Sequence, residues 1–276
     1  MNGQETGCHP EMTAMETVRL ERAVPRYEGV VVIVGAFGSG KTEVALNLAA
    51  VSRNAGSRVW IADLDLVNPY FRTREAKAAL TRIGVEVVLP PDAYLHADLP
   101  ILTPLVAGVI QRTEGLVILD AGGNDAGATV LASLADAFAA AAGRGRALHM
   151  LMVINPFRPF TDTFAGCRKM RASIEQASGL AVNGIIGNAN LMEETRLEDI
   201  ESGYRFVRAF SKESGLSLEM ITVPESLWMQ LAPVRFSCPV LPIKRQLVPP
   251  WKRPGGFHGG SNPRSFEDTK DQRSNH

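Results

Sequence analysis

Between Gly29 and about Leu247 the chain repeats one alternation, a short continuous apolar run followed by a stretch of helical length. The runs are Val30–Val34, Val59–Ala62, Val85–Leu89, Leu116–Leu119, Leu148–Ile154, Gly184–Ile186 and Glu219–Val223. Between most of them lie helical patterns such as Thr42–Arg53, Arg74–Ile83, Thr129–Ala142, Asp162–Ala177 and Leu197–Lys212. A strand with one wet face alternates apolar with polar residues, whereas continuous runs suit strands buried on both faces. Such strands alternating with helices indicate an α/β fold: a mainly parallel sheet, helices on both faces and right-handed crossovers. In these sheets ligands gather beyond the carboxyl ends of the strands. The polar residues just after each run are therefore where chemistry is expected.

After the first run comes Gly35-Ala36-Phe37-Gly38-Ser39-Gly40-Lys41-Thr42, a complete GxxxxGK[ST] pattern. Glycines let backbone N–H groups turn inward around phosphate oxygens, and the N-terminus of the next helix faces the same anion. Lys41 would reach the β- and γ-phosphates, and the Thr42 hydroxyl would bind Mg²⁺. The context fits, with an apolar strand before the loop and the amphipathic stretch from Glu43 after it. Gly35, Phe37, Gly38, Ser39, Gly40, Lys41, Thr42 and Glu43 are the candidate nucleotide-binding residues.

Two later runs end in acids. The fourth continues into Asp120-Ala121-Gly122-Gly123, an acid after four apolar residues and the first residue of a DxxG pattern. Asp120 would approach Mg²⁺ through water, and the Gly123 N–H would sense a γ-phosphate. The second run continues into Asp63-Leu64-Asp65, then Asn68-Pro69 and Arg72. Carboxylates at i and i+2 of a strand end lie on one side of the chain, and a divalent cation would relieve their repulsion.

Together these motifs resemble the deviant P-loop ATPases of the MinD/ParA/CobQ group, within the signal-recognition and nitrogenase-iron-protein class, over about Gly29 to Leu231. The resemblance implies a three-layer P-loop fold with a sheet of about seven strands and ATP as nucleotide. It implies that Asp63 supports Mg²⁺ and that Asp65 positions the attacking water. It also implies that Asn188, after the sixth run, hydrogen-bonds adenine, and that Pro224, after the seventh, packs on its ring. An Asn amide offers the donor and acceptor an adenine edge requires. The guanine-selecting NKxD is absent, since Ala189-Asn190-Leu191 follow Asn188. In one respect the chain departs from the group: Ala36 stands where MinD and ParA proteins carry a second lysine that contacts the partner subunit's nucleotide. Arg72 or Arg74 could supply that charge as an arginine finger, or be a solvated helix-start residue.

Charge and cysteines narrow the class. The resemblance leaves a homodimer possible, while 29 basic and 29 acidic side chains among the 276 residues give ParA-like sliding on nucleic acid no basic surface. Three widely spaced cysteines, Cys8, Cys167 and Cys238, form no disulfide framework and no CxxC pair. No secretory signal or membrane-length run is visible, and the Pro/Gly-rich residues 248–276 could not form an amphipathic anchor, so a cytoplasmic location is expected. The expected organisation is an N-terminal arm over 1–28, one nucleotide-binding domain over 29–247 and a disordered tail over 248–276.

Three functions follow from the resemblance. The first is an ATP-dependent switch acting on a protein partner, with the segments Asp63–Glu75 and Asp120–Ala128 ordered by the nucleotide. The second is a small-molecule ligase or kinase like the cobyrinate-amidating and dethiobiotin-forming enzymes, with Arg158, Arg168 and Arg171 as candidates for binding an acidic substrate. The third is a metal-cofactor maturation ATPase, for which Cys167 is the lone candidate and reads better as a small buried side chain.

Overall fold

The computed structural model describes residues 25–64, 72–88, 102–122, 125–228, 230 and 236–246. Eight strands form one sheet: β1 (Gly29–Gly35), β2 (Val59–Leu64), β3 (Glu86–Val88), β4 (Leu116–Ala121), β5 (Leu148–Ile154), β6 (Gly184–Gly187), β7 (Ser217–Pro224) and β8 (Val240–Ile243). Their order is β3-β2-β4-β1-β5-β6-β7-β8, and every neighbouring pair is parallel. The helices are α1 (Lys41–Asn54), α2 (Arg72–Arg82), α3 (Leu102–Ile110), α4 (Asp125–Ala132), α5 (Ala135–Gly143), α6 (Phe164–Ser178), α7 (Leu197–Ser214) and α8 (Glu225–Trp228).

The three layers follow from the two-residue period of a strand. In β1, Val30, Val32 and Val34 enter one core, while Val31 and Ile33 enter the other. The second core takes Val44 and Leu48 of α1 and Leu80 of α2. The first takes Ile110 of α3, Leu131 of α4, Phe138 of α5, Ile174 of α6 and Phe210 of α7. Burying each of these larger side chains contributes about 1.5–3 kcal/mol. The fully apolar runs of the sequence are thus strands covered on both faces, as their lack of alternation requires.

The eight strands are close to the expected seven. Three features depart from the sequence expectation. β8 is short and contains Pro242, which would break a central ladder but is tolerated on this edge strand. The helical pattern 129–142 is broken into α4 and α5 at Ser133, whose hydroxyl donates to the Val130 carbonyl (2.7 Å) and diverts the backbone ladder. Finally, Tyr27, placed above in the arm, belongs to the packed body: it is buried, and its hydroxyl donates to Glu219 Oε2 at 3.1 Å.

The Tyr27 ring meets His149 of β5 edge to face, with centroids 4.9 Å apart. Burial pushes the His149 imidazole below its ordinary 6.5, against the opposing pull of Glu219. Below that ordinary value the unfolded chain takes up a proton that the folded protein resists. The resulting stability is complete above about pH 6.5 and is lost as the pH falls. His149→Phe keeps a ring against Tyr27 and removes the titration. Its melting temperature is expected to fall less than the parent's between about pH 7.5 and 5; equal losses in the two proteins would clear His149 of this role.

Candidate functional site

β1 delivers the chain to the P-loop, and the loop's shape depends on positive φ at Gly35 (143°), Gly38 (74°) and Gly40 (92°). Gly40 is required twice over. L side chains rarely adopt its φ, and a Cβ there would stand 2.2 Å from Asn188 Nδ2. α1 begins at the next residue, so the N–H groups of its first turn and its positive dipole end face the loop. Lys41 is buried and folds back to donate from Nζ to the Ala36 carbonyl at 3.0 Å. Ser39 is also buried, Phe37 stands exposed at the loop's outer turn, and Thr42 and Glu43 occupy the first turn of α1.

Asp63 and Asp120 are strand residues rather than loop residues. β2 and β4 run in register with Asp63 opposite Asp120, and β1 sets Ile33 against Asp120. Adjacent strands lie about 4.8 Å apart, so two buried acids sit side by side next to the strand that carries the P-loop. Neighbouring carboxylates repel. With the Thr42 hydroxyl at the start of α1, they are the residues that could hold Mg²⁺, which takes hard oxygen ligands and retains waters. Among the described residues no cluster of three or more His, Cys, Asp or Glu offers an alternative metal site. Asp65 and Gly123 lie outside the described residues. Arg72 and Arg74 open α2, but their side chains are likewise outside the description.

Asn188 follows β6 and clamps three elements together. Its backbone N–H donates to Ile154 O (2.8 Å) and its Nδ2 to Ser39 O in the P-loop (2.6 Å). Thr222 of β7 donates its hydroxyl to Asn188 Oδ1. One amide N–H and one oxygen lone pair are not used by these bonds. Pro224 ends β7 opposite Ile243 of β8, and Glu225 opens α8.

Sequence reasoning missed several residues that support the loop. Asn47, one turn into α1, pairs with the backbone after β8 as a strand neighbour would. Its Nδ2 donates to Lys244 O (3.0 Å), and Lys244 N donates to its Oδ1 (2.8 Å). The Glu43 carboxylate accepts from Gln246 N at 3.1 Å, and Arg245 pairs with Glu193 (2.6 Å) in the loop after β6. The segment 244–246 therefore joins the P-loop helix to the loop that begins at Asn188. Asn155 after β5 is a second hub, donating from Nδ2 to Asn190 O at 2.9 Å. The expectation that polar residues follow apolar runs points at Asn155; nothing local marks Asn47.

The arginines proposed for an acidic substrate separate into two kinds. Arg168 pairs with Glu213, and Arg171 with Glu175 (2.9 Å), which accounts for both as helix-surface ion pairs. Arg158 has no such pair among the described residues. Cys167 is fully buried and donates to the Thr161 carbonyl, and burial pushes its thiol up to about 12, which suits packing rather than metal delivery.

Neither a protein-family profile nor a curated protein matches the sequence. Solved structures do match. Cell division protein FtsY of Thermotoga maritima is 20% identical, with 75% of this chain and 69% of that one covered, at a TM-score of 0.51. This chain has the P-loop NTPase fold. Signal recognition particle receptor FtsY of Elizabethkingia anophelis, solved with GDP, is 18% identical over 76% of this chain at a TM-score of 0.48. This chain spans 64% of that protein. A nucleotide-binding protein of Archaeoglobus fulgidus, solved with ADP, is 17% identical, with 79% and 90% covered, at 0.44. Identities this low speak to fold alone. No helix among the described residues is long and apolar enough to cross a membrane.

Proposed function

We propose that the chain is a Mg²⁺-dependent ATP-binding protein and ATPase of the MinD/ParA/CobQ type that acts as a nucleotide-dependent switch on a partner protein. The observation that carries this reading is the P-loop with buried Lys41, beside the in-register acids Asp63 and Asp120. The loop's N–H groups and Lys41 would bind the phosphates, with the N-terminus of α1 adding its dipole. Thr42, Asp63 and Asp120 would hold Mg²⁺, which supplies charge neutralisation at the terminal phosphates. Asp65 would orient the attacking water. Asn188 keeps one N–H and one lone pair for an adenine edge, and Pro224 lies one strand further along the same sheet end.

The first test is a titration of the purified chain with ATP and GTP, with Mg²⁺ present. ATP should bind at least about tenfold tighter, a preference of roughly 1.4 kcal/mol. Equal affinity, or a preference for GTP, would sink the ATP assignment. Asp65→Ala should leave ATP affinity near the parent's and slow hydrolysis by about a hundredfold, within the range expected for a proton-handling group. Normal turnover in that variant would remove Asp65 from the reaction.

A further inference from the structure

The loops after β1, β5 and β6 carry a second surface. Four large apolar side chains are exposed among the described residues, and three sit on these loops: Phe37 (68%), Phe160 (67%) and Met192 (53%). The three strands are parallel neighbours, so their carboxyl-end loops lie side by side. Asn188 ties the third loop to the first through Ser39 O, and Asn155 ties the second to the third through Asn190 O. The result is one platform.

That platform shows its apolar side chains against the preference of its own backbone. Phe160 has φ 74° and Met192 φ 63°, a left-handed region that costs an L residue about 1–2 kcal/mol. Such strain persists only where surrounding bonds over-determine it. Around Phe160, Asn155 O accepts from Arg158 N (3.1 Å) and the Thr161 hydroxyl (2.8 Å), and Thr161 N donates to Arg158 O (3.2 Å). Gly166 has no Cβ there, and one would stand 2.5 Å from Phe160 O. Around Met192, its N donates to Asn190 Oδ1 (2.7 Å) and its carbonyl accepts from the Thr195 hydroxyl (2.8 Å). Single exposed apolar residues are ordinary; here three fall on loops bonded to one another, two of them at left-handed backbone.

Two residues before Phe160 stands Arg158, half-buried, its Nε buried without an acceptor among the described residues. The residue is only partly covered, and a carboxylate is the acceptor that pairs best with a guanidinium. Asp162 and Glu194 are exposed on the same loops, so a run of acids would be repelled where a single carboxylate is not.

We propose that this platform docks a protein partner through one Asp or Glu flanked by apolar side chains. Arg158 takes the carboxylate, and Phe160 and Met192 take its apolar neighbours. The proposal rests on the switch reading, because Phe37 of the P-loop is part of the platform and links it to the nucleotide.

The test pans a displayed library of random peptides on the full chain, with and without Mg²⁺ and a non-hydrolysable ATP analogue. Enriched peptides should place Asp or Glu next to Leu, Ile or Phe. Phe160→Ser should weaken the best of them by about tenfold or more, and Arg158→Glu should select Lys or Arg instead. No enrichment, enriched peptides without an acid, or an unchanged selection by Arg158→Glu would each overturn the proposal. So would sedimentation showing a dimer of the parent that Phe160→Ser makes monomeric, since the occupant would then be a second copy. ATP titration of the parent separates the two readings. Loss of nucleotide binding there defeats the switch, while the nucleotide-free panning still decides the surface.

Discussion

Lys41→Ala is expected to abolish measurable ATP binding while leaving the fold intact. The ammonium is already buried, with the Ala36 carbonyl at 3.0 Å, so its dehydration is met in the folding of the chain and not at the moment of binding. Charge-assisted bonds to two phosphates contribute about 1.5–3 kcal/mol each, so their joint loss amounts to about a hundredfold to ten-thousandfold in affinity. Lys41→Arg should not rescue binding. A planar guanidinium is larger than an ammonium, and Ala36 and Ser39 around it are fully buried, so no neighbour can withdraw to admit it. Calorimetric titration with ATP, beside a thermal melt of each variant, reads both halves. Binding by the alanine variant within about tenfold of the parent would mean that the loop does not grip phosphate. Failure of the melt would instead assign Lys41 to the fold.

Much of this site is legible from sequence because its signals are local. The run Val30–Val34, the glycines and Lys41-Thr42 lie within a dozen residues of one another, and each acts through its own backbone or its immediate neighbours. The runs ending in Asp63 and Asp120 are local signals too, but their meeting is not. It follows from β2 and β4 becoming neighbours in register, which no spacing within either run reveals. α3 escaped notice because Leu102–Ile110 is nearly all apolar, so a helical period has no polar residues to show itself against. β8 escaped because its proline is acceptable only at an edge, and edges are a property of the finished sheet.

The support for the loop was the least legible part. Asn188 meets Ser39 from 149 positions away, and Asn47 meets Lys244 across 197. A resemblance assigns Asn188 to the nucleotide base, yet the structure shows it holding the P-loop against β6 and β7. The two roles use different atoms of one amide, so replacing Asn188 removes the clamp along with any base contact. A change at that position therefore reports on the loop's shape as much as on the choice of base. Glu43 shows the same coupling: it sits beside Thr42 in α1, and its carboxylate holds the backbone of Gln246. Gln246 is thus bonded directly to the helix that follows the P-loop.

The second large effect is expected at Asp120, and it separates charge from shape. Asp120→Asn preserves side-chain volume and hydrogen-bonding capacity in β4, so Ile33 and Asp63 keep their registered neighbour. The substitution halves the negative charge of the in-register pair. Removing a carboxylate beside the phosphate loop lowers repulsion toward a tetra-anionic nucleotide, so ATP binding in EDTA should hold steady or tighten. With Mg²⁺ the sign reverses. One hard oxygen donor of the set Thr42, Asp63 and Asp120 is weakened, so the Mg²⁺ concentration for half-maximal hydrolysis should rise by about tenfold, and saturated turnover should fall by about a hundredfold. Asp63→Asn should behave alike, and the double variant should lose less than the product of the two, because both residues would serve one ion. Opposite responses in EDTA and in Mg²⁺ are the diagnostic result. A variant weakened equally in both conditions would show that Asp120 shapes the strand end rather than holding metal.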